Sequence, residues 1–77
     1  MNVIIYSTPS CIYCKMAKEF FTKNNVTYKE LNVADDEKAR EEMVAKSHQL
    51  GVPVIDVGGE IFVGFDLAGL AKALGIG

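Results

Sequence analysis

Hydrophobic and polar positions along this 77-residue chain fall into blocks that switch between a period of two and a period of three to four. Asn2-Val3-Ile4-Ile5-Tyr6 is a short apolar run rich in β-branched residues, which predicts a buried strand. Ser7-Thr8-Pro9-Ser10 is turn chemistry, with Thr8 and Ser10 available as helix caps. From Cys11 to about Asn24 the spacing is helical. Met16, Ala17, Phe20 and Phe21 recur at intervals of three and four and make one apolar face, expected in the core with Met43. Asn24-Asn25 ends this helix. Val26 to Val33 alternates apolar and polar residues and predicts a second strand.

Asp35-Asp36-Glu37 then places acid where a helix dipole favours it. Ala39, Met43 and Val44 supply the buried face of that helix, and Asp36–Arg40 and Lys38–Glu42 have the spacing for ion pairs. The helix frays near Ser47-His48, and His48 is expected at a surface or helix end. Pro53 to Val57 predicts a third strand. Gly58-Gly59 is a two-residue hairpin signal, and Glu60 to Val63 a fourth strand antiparallel to the third. Asp66 caps a last helix through about Leu74, interrupted by Gly69 and followed by Gly75 and Gly77.

The order β-α-β-α-β-β-α has no linker, repeat or low-complexity segment, so residues 1–77 read as one domain. Its first half is a βαβ unit, which makes strands one and two parallel with a right-handed crossover. Three helices on a four-stranded mixed sheet form a three-layer α/β sandwich.

Composition narrows the function. Hydrophobic residues make up 49% and charged residues 23%, as expected of a packed core. Eight basic and ten acidic side chains leave a net charge of −2, without the concentrated basic face of a nucleic-acid binder. The first six residues lack the basic start and long apolar stretch of a secretory signal. No run approaches a membrane span. The cytoplasm is the expected compartment, and disulfides there tend to be transient and catalytic.

Both cysteines lie in Thr8-Pro9-Ser10-Cys11-Ile12-Tyr13-Cys14-Lys15-Met16-Ala17-Lys18. One CxxC and one distant His48 fall short of the four ligands of a structural zinc site, so no metal is expected. A disulfide across so small a loop is a weak staple. Position argues for reactivity instead: the pair falls at a helix start just after a strand, where unpaired N–H groups favour an anion. Lys15 and Lys18 add positive charge within about one turn, and thiolates are stabilised by such neighbours. Cys11 at the cap is then the exposed, low-pKa nucleophile, and Cys14 its shielded partner. A CxxC on a βαβ pattern is a sign of a thioredoxin-like redox site. Gly51-Val52-Pro53-Val54 is the second mark. Pro53 opens a strand, either as an ordinary turn residue or in a cis bond that leaves the Val52 backbone free to pair with an extended peptide.

With Cys11-Ile12-Tyr13-Cys14 followed by Ala17-Lys18, then Val52-Pro53-Val54 and Gly64-Phe65-Asp66, the chain resembles a glutaredoxin over essentially its whole length. The resemblance implies a thioredoxin-like sheet in the order 2-1-3-4, a cis Pro53, and thiol–disulfide exchange. In that reaction Cys11 attacks a substrate disulfide and Cys14 resolves the mixed disulfide. It implies a monomeric electron carrier in cell redox homeostasis, with disulfide-containing proteins or glutathionylated molecules as substrates and no bound cofactor. Glutathione is the implied co-substrate, held by Tyr13, Val52, Pro53, Gly64 and Asp66. The chain departs from the family pattern at Ile12, Gly51, Val63 and Leu67, and has no basic residue in Ser7–Ser10. The hydrogen-donor redoxins of ribonucleotide reductase share the fold and a Gly-Phe before the last helix, and thioredoxin reductase reduces them. That reductant is the alternative. An iron–sulfur cluster held between two chains through Cys11 is an alternative of another class. Phe62 and Phe65 are read either as core or as flanking the site.

Overall fold

The computed structural model describes residues 2–76, so Gly77 lies outside the described residues. The elements are β1 (Val3–Ser7), α1 (Ile12–Lys23), β2 (Lys29–Asn32), α2 (Glu37–Ser47), β3 (Val54–Val57), β4 (Glu60–Val63) and α3 (Leu67–Leu74). The sheet order is β2-β1-β3-β4, with β1 parallel to β2 and antiparallel to β3, and β3 antiparallel to β4. This is the expected mixed α/β thioredoxin-like architecture. No helix among the described residues is long and apolar enough to cross a membrane.

Alternation along the strands divides the core between the two faces of the sheet. Val3 and Ile5 of β1 and Ile55 and Val57 of β3 pack with Ala17, Phe21 and Leu70, beneath α1 and α3. Tyr6 and Val54 point the other way and meet Val33, Ala39 and Met43 beneath α2. Phe20, Phe62 and Phe65 are partly buried and pack against the first cluster, and Phe65 does so from between Gly64 and Asp66. Phe65 lies edge-on to Phe20, with ring centroids 6.0 Å apart.

Two expectations need correction. Met16 is 44% exposed rather than core. The buried line of α1 is Cys14, Ala17 and Phe21. Met16 instead continues the exposed stripe of Ile12 and Tyr13, which are four and three residues before it. The second strand is also shorter than the alternation suggested, four residues instead of eight. Val26 and Tyr28 face the first cluster and Leu31 and Val33 the second. The apolar positions change parity between Tyr28 and Leu31, and only the stretch paired with Ile4–Ser7 is strand.

The element ends follow local chemistry. Asn25 (φ 58°) and His48 (φ 61°) take left-handed conformations after α1 and at the end of α2. Gly58 and Gly59 both have positive φ, as a tight hairpin turn between β3 and β4 requires. Among the described residues neither Asp36–Arg40 nor Lys38–Glu42 forms an ion pair. The Asp36 carboxylate accepts the Ala39 N–H at 3.0 Å as the cap of α2, and Glu42 accepts the Tyr6 hydroxyl across the layer. Lys46 donates to the Tyr6 hydroxyl and to Asp56, each at 2.8 Å. Burial lowers the proton affinity of Lys46, but its bonds to Asp56 and Tyr6 outweigh that and hold its ammonium above its ordinary range.

Candidate active site

The sheet order brings three segments to one end of the molecule. β1 ends at Ser7, where the chain turns into α1. Antiparallel pairing of Tyr6 with Val54 puts the start of β3 at the same end, and pairing of Val54 with Val63 adds the end of β4. The predicted site residues lie on these three segments.

Cys11 is the N-cap of α1. Its backbone is extended (φ −88°, ψ 111°), and its Sγ accepts the Cys14 N–H at 3.1 Å. A sulfur thus stands where a Ser or Asp oxygen usually caps a helix. Cys11 and Cys14 are joined as a disulfide, with Cα atoms 5.2 Å apart. Cys11 is half-buried and Cys14 only 1% exposed, so Cys11 is the accessible sulfur. In the dithiol state the same helix N–H groups favour an anion at Cys11.

The two lysines differ. Lys15 is exposed. Lys18 is bound to Glu30 at 2.7 Å, and Glu30 also accepts the hydroxyl of Ser7, which is buried. The Lys18 bond, then the Ser7 bond, hold the Glu30 carboxyl below its ordinary value. The charge Lys18 presents to Cys11 is therefore offset by a carboxylate, which sequence spacing alone did not reveal. A groove of about 420 Å³ runs between α1 and β2 past Lys15, Lys18 and Glu30, and neither cysteine lines it.

On the second segment the Val52–Pro53 peptide is cis and Pro53 is buried. Among the described residues, Val52 makes no hydrogen bond through its N–H or C=O. On the third, Gly64 (φ 84°) donates its N–H to the Pro53 carbonyl at 2.8 Å, tying the two segments together. Asp66 is exposed and caps α3 through a bond from the Gly69 N–H at 3.0 Å. A Cβ at position 69 would run into the Asp66 carboxylate and come within 2.9 Å of the Phe62 ring, which accounts for glycine inside this helix. Tyr13 is exposed beside the cysteines on α1.

Sequence reasoning missed several exposed apolar side chains. The exposed large hydrophobic residues among those described are Ile12, Tyr13, Met16, Leu50, Val63 and Leu67. Ile12, Tyr13 and Met16 lie in the first turns of α1 and Val63 and Leu67 on either side of Gly64, whereas Leu50, in the loop before Pro53, lines a groove with Arg40, Glu41, Val44 and Ala45 of α2. The spacing of Ile12 and Met16 was the available signal, but it reads equally as core. Among the described residues no group of three or more His, Cys, Asp or Glu is arranged to hold a metal ion.

A CxxC disulfide capping the first helix of a β2-β1-β3-β4 sheet, with a cis-proline turn at the same end of the sheet, defines a thiol oxidoreductase of the thioredoxin-like class. The chain belongs to the glutaredoxin family, whose model matches residues 3–63. It is 50% identical over 70 residues to an uncharacterized glutaredoxin-like 8.6 kDa protein in the rubredoxin operon of Clostridium pasteurianum, covering 91% of this chain and 93% of that one. It is 34% identical to glutaredoxin 3 of Escherichia coli (84% and 78% covered) and 29% identical to the glutaredoxin-like protein NrdH of Lactococcus lactis (91% and 96%). Among solved structures, a mutant of the thioredoxin-like protein BC3987 superposes with a TM-score of 0.93 at 32% identity, covering 99% of this chain and 97% of that one.

Proposed function

We propose that this protein reduces disulfides in other proteins by dithiol exchange, and that a protein dithiol such as that of thioredoxin reductase reduces it in turn. The Cys11 thiolate attacks one sulfur of the substrate disulfide, forms a mixed disulfide and releases the other substrate sulfur as a thiolate. Cys14, as its thiolate, then attacks the Cys11 sulfur and expels the second substrate thiolate. Two electrons pass to the substrate, and the Cys11–Cys14 disulfide remains. The reductant returns the two electrons by the reverse exchange. A reducing compartment, the cytoplasm, suits this cycle.

The observation that carries the choice of reductant is the exposure of apolar side chains at the cysteine end: Ile12, Tyr13 and Met16 on α1, and Val63 and Leu67 on either side of Gly64. Exposed apolar side chains concentrated at the end of the molecule that carries the reactive cysteine favour contact with another macromolecule. An anionic tripeptide instead needs charged anchors, and few are free. The Ser7–Ser10 turn has no basic residue, Lys18 is held by Glu30, and the start of α3 already carries the Asp66 carboxylate.

Glutathione is the second reading. The unpaired Val52 backbone and the exposed Asp66 and Tyr13 favour it. In that reading Val52 pairs with the tripeptide backbone, Asp66 binds the γ-glutamyl amine, and Tyr13, Pro53 and Gly64 line the groove.

The test is turnover of a peptide disulfide with NADPH and thioredoxin reductase, against turnover with glutathione and glutathione reductase. Faster turnover in the first arm, lowered by Ile12→Ser or Leu67→Ser, supports the leading reading. Saturation in glutathione with no response to thioredoxin reductase replaces it with the second. Visible absorption bands in the freshly purified protein would point to an iron–sulfur cluster instead.

A further inference from the structure

The loop between α2 and β3 holds a polar arrangement that the exchange chemistry does not use. The Gln49 Oε1 accepts the Gly51 N–H at 2.6 Å, and its Nε2 donates to the Gly51 carbonyl at 3.0 Å. Nε2 also donates to Ser47 Oγ at 3.2 Å, and Ser47 Oγ donates to the Met43 carbonyl at 2.7 Å in the last turns of α2. One side-chain amide thus satisfies both polar groups of Gly51 and anchors them to a helix. The left-handed turn at His48 reverses the chain so that Gln49 can reach back.

We propose that Gln49 is a positioning residue for substrate: it clamps the Gly51 peptide, and so fixes the direction of the Val52 N–H and C=O and ends the substrate's backbone ladder at Val52. The inference rests on the proposed function, in which Val52 pairs with an extended disulfide-bearing segment. An added strand takes its affinity from main-chain hydrogen bonds. With both Gly51 groups already paired, a substrate strand cannot continue its register onto residue 51. Its recognition must then come from Val52 and from side-chain contacts with the exposed Ile12, Tyr13 and Leu67.

The clamp also gives a reason for glycine at position 51. A Cβ there would lie 2.7 Å from Gln49 Oε1. Any side chain at this position and the Gln49 amide compete for the same space.

The experiment is a double-mutant cycle read in steady-state kinetics with a short synthetic peptide disulfide. Gln49→Ala should raise KM about tenfold, equivalent to about 1.4 kcal/mol, with kcat and the alkylation rate of Cys11 unchanged. Gly51→Ala should do the same by displacing the amide, and it serves if Gln49→Ala folds poorly. The double variant should be no worse than Gln49→Ala alone, because both changes remove one interaction. Three results overturn the clamp while the wild type turns over normally: an unchanged KM in both single variants, fully additive losses, or an equal loss of Cys11 alkylation. A wild type that does not reduce the peptide overturns the proposed function, and the clamp's role with it.

Discussion

The Cys14 N–H donates to Cys11 Sγ at 3.1 Å while the Cys14 side chain lies buried. One cysteine is therefore held as a hydrogen-bond acceptor at an open helix end, and the other is shielded one turn further in. The order of reactivity follows from this. After reduction, Cys11 should alkylate at a pH clearly below that of an ordinary thiol, because the helix start favours its anion. Cys14 should react slowly until the chain unfolds. Iodoacetamide labelling followed by peptide mass mapping checks this, and faster labelling of Cys14 would reverse the roles.

Asp66 caps α3 by accepting the Gly69 N–H. Asp66→Ala should lower stability by about 0.5–2 kcal/mol, the usual range for losing such a cap, and Asp66→Asn should retain most of it. Urea unfolding of the two variants measures the difference. With a protein dithiol as reductant, Asp66→Asn should leave KM for that reductase unchanged. A raised KM for glutathione in the same variant would favour the glutathione reading.

Three carboxyl groups are held below their ordinary values. For Glu30 the cause is its bonds to Lys18 and then Ser7, and for Glu42 the bond from Tyr6. For Asp56 burial acts the other way, but the bonds from Lys46 and Gly59 prevail. A carboxyl whose folded value is depressed contributes stability above its unfolded value, which is lost as pH falls through the folded one. Unfolding midpoints should therefore hold near neutrality, begin to fall near pH 4.5 and fall further below pH 3.8, the ordinary values of these groups. Glu30→Gln should flatten part of that slope. A midpoint constant down to strongly acid pH would show that these contacts are not coupled to folding.

Much of the fold is legible in the sequence because its signals are local. Gly58-Gly59 marks the hairpin, Asp36 and Asp66 mark helix starts, and Cys11 and Cys14 mark the redox site by position. What escapes is long-range pairing. Glu42 has helical neighbours at ion-pair spacing in Lys38 and Lys46; it pairs with Lys46 at 3.4 Å, and it also accepts the Tyr6 hydroxyl across the layer, which no local spacing shows. Lys18 is near the cysteines in sequence, but its partner Glu30 comes from the edge strand. Met16 shows the limit of periodicity, since an apolar stripe beside a reactive site and one facing the core have the same spacing. Gln49 carries no signature at all, because its role depends on a reversal at His48 that only the folded chain displays.

The central claim is that Cys11 attacks and Cys14 resolves. It is tested most directly by mixing reduced Cys14→Ser protein with a peptide disulfide and measuring intact mass. The account predicts one stable peptide adduct per chain, mapped to Cys11 and released by added dithiol, with none on the Cys11→Ser variant under the same conditions. An adduct that forms on Cys14 in the Cys11→Ser protein, or no adduct on Cys11, would contradict it.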